Sequence, residues 1–321
     1  MSFLNSLTKI LAWLGRQGTR AIAAVVFLGI AVPPVGRLLK PWVTEAIFVL
    51  LVIAFVRVDL VALRNHLQRP LVVLAITGWT MLVVPAAIGV LCVLFGIGAR
   101  SEDLLLALML QAIAPPMMAA PAFAALMGLD ATLVVIAMVA CAALAPFTAM
   151  LFAWLFIGPT LALSPVALGV KLFLLLAGSV AVAAIIRRIV GAAAIGRYKE
   201  ELDGFNIIMV FVFVAALMES VAPKFAAEPL LTLGLLILAF AVSYVVLAVT
   251  AVLFARAGSA RALVLALMAS QRNMGLMLAA TGGALPDFVW LYFALSQFPI
   301  YIAPQLLKPL ARRLIERSPR T

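Results

Sequence analysis

Four consecutive polar residues, Ser270-Gln271-Arg272-Asn273, interrupt an otherwise apolar stretch that runs from Ala262 to Thr281. About 20 apolar residues cross a bilayer, so the cluster is expected near the membrane midplane. An arginine there costs roughly 2.5–3.5 kcal/mol on insertion scales, and an ionisable residue at that depth points to a functional site. Its guanidinium is a planar fork of donors that suits a carboxylate, sulfonate or other oxyanion. Gln271, Asn273, Ser270 and Gln111 are the candidates for the remaining polar groups of such a ligand. In the competing reading, Arg272 neutralises a buried carboxylate and only ties helices together. Four polar residues in a row exceed what one structural pair needs.

The elements that must hold these residues are membrane helices. The chain of 321 residues is 67% hydrophobic and 11% charged, far from the composition of a soluble domain. Apolar runs lie at roughly 18–38, 41–56, 71–97, 103–127, 131–157, 165–186, 204–222, 229–255, 260–281 and 286–310, most of them long enough for one pass. Ten spans follow. The net charge of +11 is carried by loops and tails. With the first residues inside, seventeen Lys and Arg fall in inner segments and four (Arg37, Lys40, Arg100 and Lys224) in outer ones. Only Lys171 and Arg272 lie within spans. That bias orients the chain with both termini cytoplasmic in an inner-type cell membrane, and removes nucleic acid as a partner.

Residues 1–17 read as an amphipathic segment, with Phe3, Leu4, Leu7, Ile10, Leu11 and Leu14 at helical spacing. Such a segment suits a membrane face or extends the first span. Two five-span halves follow, 18–157 and 165–310, then a basic tail, 311–321. Five is odd, so the halves would be inverted relative to each other. Leu-Ala-Leu-Met occurs at 106–109 and again at 265–268, in the fourth span of each half. The fourth span carries Pro115, Pro116 and Pro121, and the ninth carries Gly275 beside its polar cluster. Proline removes a main-chain donor, so these spans are expected to break. Paired broken helices in two inverted halves point to a transporter's binding site. Half-helix N-termini would add positive potential there, and Met117, Met118, Met268, Met274 and Met277 would offer an adaptable apolar wall.

Glu45 and Glu219 are candidate coupling carboxylates or partners for Arg272, and equally candidate rim acids. Asn206, Tyr244, Thr148 and Gln297 read as helix–helix hydrogen bonds. Intramembrane enzymes need paired acids, a Ser–His couple or a metal cluster. His66 is the only histidine, and Cys92 and Cys141 sit singly in apolar runs. No enzyme, metal site or cofactor is expected, nor an obligate protein partner; the partners are the lipid bilayer and a small organic anion.

Ten spans, Arg69-Pro70 opening the third, a proline-broken fourth and Arg272-Asn273 in the ninth resemble the bile acid:sodium symporter family, as a divergent bacterial-type member. Its wider superfamily includes arsenite exporters and organic-acid carriers. The resemblance implies an all-α membrane protein in which broken helices 4 and 9 cross in a core domain beside a panel domain, with alternating access between them. It also implies a coupling ion, sodium or a proton. The departures concern sodium. The family's acidic residue and Gln in the ninth span are replaced here by Met268 and Arg272, and its Pro-Gly-Gly and Ser-Asn in the fourth by Pro115 through Pro121. Sodium takes oxygen ligands, which those side chains do not supply. The expectation is therefore a secondary carrier of a small organic anion. The alternatives are an arsenite or oxyanion efflux permease, which a lack of cysteine near either break disfavours, and a proton-coupled carrier.

Overall fold

The computed structural model describes residues 2–17, 24, 27–58, 70–158, 161 and 163–316. His66, Arg64, Arg69 and the end of the basic tail lie outside them. Every regular element among the described residues is helical. In chain order these are α1 (Ser2–Gln17), α2 (Pro33–Leu39), α3 (Val43–Val56), α4 (Pro70–Gly78), α5 (Val84–Leu94), α6 (Ile97–Arg100), α7 (Glu102–Ile113), α8 (Ala120–Leu126) and α9 (Ala131–Phe152). The second half holds α10 (Pro165–Val190), α11 (Ala192–Arg197), α12 (Lys199–Met218), α13 (Val221–Ala227), α14 (Pro229–Leu253), α15 (Ser259–Ser270), α16 (Met274–Thr281) and α17 (Asp287–Glu316). A π-helical turn, Trp79–Val83, joins α4 to α5.

Six helical runs are long and apolar enough to cross a membrane: Pro33–Val56, Pro70–Leu94, Ala131–Ile157, Pro165–Val190, Lys199–Ala227 and Pro229–Leu253. Only 28% of the most apolar window of α10, and of α14, is buried within the protein, and Leu230 on α14 is 84% exposed. A helix that is apolar all round yet mostly unburied needs lipid for its solvent. The protein is membrane-embedded.

The chain forms two compact units, each drawing on both halves of the sequence. The first comprises residues 1–58, 174–232 and 278–284, and the second 59–173, 233–277 and 285–321. The chain passes from one unit to the other inside α10, α14 and α16.

In the first unit the chain packs along α12 on small residues. A side-chain carbon at Gly15 would collide with Glu200 O, and one at Gly204 with Leu11 O. One at Gly29 would stand 3.0 Å from Ala215 Cα, and one at Gly36 2.5 Å from Ala215 O. Without a hydrophobic force between helices in lipid, such close approach is what holds them together. Residues 15 and 29 thus lie along α12 in the same direction. Residues 2–17 form a helix packed against α12. Val32, with φ −127° and ψ 70°, precedes α2, which Pro33 opens.

Polar pairs mark the two ends of this unit. Arg16 meets Glu200, and Arg57 meets Asp203, while Arg187 Nη1 donates to Val56 O and Val58 O at 2.7 Å each. At the other end of α12, Glu219 binds Arg37 at 2.9 Å and lies 3.8 Å from Lys40. Arg16, Arg57 and Arg187 are therefore gathered near one end of α12, and Arg37 and Lys40 near the other.

Candidate functional site

Within the second unit, two interrupted helices meet at their interruptions. Ser101 Oγ starts α7 by accepting from Leu104 N at 3.2 Å. The helix ends after twelve residues, where Ala114 turns extended with φ −60° and ψ 138°. Pro115 and Pro116 follow. Neither has an N–H, so the carbonyls of Gln111 and Ala112 lose the donors four residues on that an α-helix would supply. Helix α15 is also twelve residues long and ends likewise, at Gln271 with φ −90° and ψ 97°. The chain becomes helical again at Met274, where Asn273 Oδ1 accepts from Leu276 N at 3.1 Å as an N-cap.

The two gaps pair as an antiparallel bridge between Pro116 and Arg272. Met117 N donates to Gln271 O and Asn273 N to Pro115 O, both at 2.8 Å. Pro116 occupies the bridge position that needs no donor, so its missing N–H costs nothing. Main-chain groups freed by one break satisfy those freed by the other, which is what bare backbone at membrane depth requires.

Arg272 is 3% exposed. Its Nη1 donates to Ala114 O at 3.0 Å and to Thr80 O at 3.1 Å. Each acceptor is orphaned by the local sequence. Ala114 follows the last turn of α7, whose carbonyl end carries negative partial charge. In the π turn, Val84 N donates to Trp79 O, one residue further back than in an α-helix. The donor next in that register for Thr80 O would be residue 85, and Pro85 has no N–H. Arg272 supplies both missing donors. A hydrogen bond to a charged group contributes roughly 1.5–3 kcal/mol, so two offset an intramembrane cost of roughly 2.5–3.5 kcal/mol. Nη2 is buried without a partner. Among the described residues no carboxylate pairs with this guanidinium, so its charge is unneutralised by any acid there.

The other expected ligands are engaged within the protein. Ser270 Oγ donates to Leu267 O at 3.0 Å, and Gln271 Nε2 reaches Ser270 Oγ at 3.4 Å. Gln111 Oε1 accepts from Tyr292 OH on α17. Among Ser270, Gln271, Arg272, Asn273 and Gln111, only Asn273 is not fully buried. The half-buried surface at the crossing consists of Met117, Met118, Ala119 and Asn273. Met268, Met274 and Met277 are core residues, at most 2% exposed, and do not form a wall. Pro121 lies in the first turn of α8 and restarts the helix. Gly275 falls inside α16, beyond the gap at 271–273.

Glu45 and Glu219 both belong to the first unit. Glu45 is exposed in the first turn of α3. Glu219 faces Arg37 and Lys40. Thr148 and Gln297 bond carbonyls of their own helices rather than neighbouring ones. Tyr244 stacks on Phe240 with ring centroids 5.9 Å apart, and its hydroxyl has no partner.

Thr80, Tyr292 and Cys141 were not legible as site residues. Thr80 acts through its carbonyl, and the only sequence signal is Pro85 five residues later. Tyr292 reads as one more apolar position in the last span. Cys141, fully buried on α9, comes within electrostatic reach of Arg272, closer to the crossing than chain order suggests. The shared Leu-Ala-Leu-Met is also misleading in register. It ends four residues before the end of α7 but two before the end of α15, so the matching letters are not equivalent positions.

The residues at the crossing do not fit a sodium ion. Hard cations bind at helix C-terminal ends and unwound carbonyls in such sites, and the two carbonyls of that kind, Ala114 O and Thr80 O, already hold a guanidinium. No protein-family model matches the chain, and no curated protein does.

Proposed function

We propose that the protein is a secondary transporter that moves a small organic anion by alternating access, with the crossing of α7–α8 and α15–α16 as its substrate site. The observation that carries this reading is a fully buried arginine, unpaired with any carboxylate among the described residues, at the junction of two interrupted membrane helices. A positive charge without a counter-charge in a low-dielectric setting attracts an anion, and interrupted helices are where carriers bind their cargo. Asn273, half-exposed beside Arg272, supplies an amide to the anion's oxygens. Met117, Met118 and Ala119 receive its apolar body. Nη2 of Arg272 keeps two N–H donors for a carboxylate when the crossing opens.

The finer architecture belongs to the same proposal. Ten spans in two inverted halves are supported by the equal lengths and like endings of α7 and α15, and by the parallel run of the first pass with α12. The division of the chain into two compact units supports a mechanism that moves two bodies. An inner-membrane location with both termini cytoplasmic is supported by the segregation of Arg16, Arg57 and Arg187 from Arg37 and Lys40. This layout is that of the bile acid:sodium symporter family without its sodium ligands. Metalloid efflux is the weaker reading, because trivalent arsenic favours several thiolates and Cys141 is single and buried.

Thermal unfolding of the purified protein across a panel of small carboxylates and sulfonates, each beside its neutral amide, tests the reading. Ligand binding to the folded state raises the midpoint by mass action. At least one anion should raise it while its amide does not, and Asn273→Ala should abolish the rise. A panel in which amides stabilise as well as acids would overturn the anion reading.

A further inference from the structure

We infer that the Arg272 guanidinium is a resident cation: it occupies, covalently tethered, a carbonyl site that would otherwise take a monovalent metal ion, and so frees the crossing from any need for sodium. The inference stands on the coordination at the crossing and not on the anion reading, and its test measures stability rather than transport.

The stoichiometry at Nη1 is the first support. That nitrogen has two hydrogens, and it meets two carbonyl oxygens at 3.0 and 3.1 Å. Both oxygens are main-chain acceptors stripped of their helical donors, one by the end of α7 and one by the π turn ahead of Pro85. Such groups are costly when buried and unpaired, so a donor or a cation must sit there for the crossing to be stable. The second support is an excess of oxygen. Thr80 Oγ1 and Gln271 Oε1, on the residues that flank the guanidinium's contacts, are buried without donors. The two main-chain carbonyls are hard, neutral ligands that suit an alkali cation. The third support is Nη2, buried and unpartnered. A tethered cation needs only its charge and the Nη1 contacts, which leaves Nη2 unused in holding the two carbonyls.

Removing the side chain should therefore expose a latent cation site. In choline chloride the midpoint of the wild type and of Arg272→Ala is compared with that in sodium chloride at equal ionic strength, and again with millimolar methylguanidinium. The wild type should unfold at the same temperature in sodium and in choline. Arg272→Ala should unfold roughly 5–10 °C lower in choline, and sodium or methylguanidinium should recover part of that loss. Arg272→Lys, which keeps a charge near the carbonyls, should fall between the two and ignore sodium. A wild type stabilised by sodium overturns the inference, as does an Arg272→Ala protein indifferent to every cation. Should Arg272→Ala not fold, a sodium-responsive Arg272→Lys would overturn it in the same way, and the wild-type comparison still decides.

Discussion

At the residue scale, the site is a set of buried polar atoms whose partners are mostly main chain. Tyr292 and Gln111 illustrate the energetics. Tyr292→Phe removes the hydroxyl that serves Gln111 Oε1 and leaves a buried acceptor unpaired, at about 1–3 kcal/mol. Adding Gln111→Leu removes the orphan as well. The double variant should then be more stable than Tyr292→Phe alone, as read from denaturation midpoints; additive losses would show that the two residues do not act on each other. Asn273→Ala loses an N-cap, about 1 kcal/mol. The polar residues themselves were evident in the sequence, because charge and amides stand out in an apolar span. Their partners were not. A side chain's type says what it can donate, but Arg272 donates to carbonyls that only backbone geometry makes available, and those carbonyls belong to Ala114 and Thr80, whose letters carry no sign of it.

At the element scale, the breaks were legible and their mutual pairing was not. Three prolines within seven residues cannot remain helical, so a gap after Ile113 follows from composition alone. That the gap at 271–273 supplies the missing partners depends on how the helices pack. The pairing has a direct readout. The amides of Met117 and Asn273 should exchange with deuterium as slowly as amides inside α7 and α15, because each is bonded across the bridge; exchange at the rate of an open loop would contradict it. The N-terminal segment shows the opposite case. Its apolar spacing fits a surface helix, yet Gly15 and Gly204 let α1 pack directly on α12. Glycine spacing carried that information, and hydropathy concealed it. Gly36→Val would press carbons against Ala215 O and Glu219 Cβ and should cost roughly 1–3 kcal/mol, as overpacking does, with a lower unfolding midpoint as the check.

At the whole-molecule scale, hydropathy and charge were the strongest guides. Six long apolar helices were legible as apolar runs, although the first, Pro33–Val56, straddles two of the ten runs read from the sequence, and Arg16, Arg57 and Arg187 gather at the opposite end of α12 from Arg37 and Lys40. The partition into two units was not legible, since each is assembled from distant segments and the chain changes unit inside helices that look uniform. Reporter fusions test the orientation: fusions after residues 64, 195 and 316 should report the cytoplasm, and those after residues 40, 100 and 224 the opposite side. The central claim is tested most directly by counterflow in proteoliposomes, which needs no knowledge of the coupling ion or direction. Vesicles preloaded with the small carboxylate that stabilises the protein most should accumulate its labelled form equally well in sodium and in choline. Met118→Trp, which fills the half-buried wall at the crossing, should reduce that exchange at least tenfold without unfolding the protein. Exchange absent for every stabilising anion, or undiminished in Met118→Trp, would contradict the account.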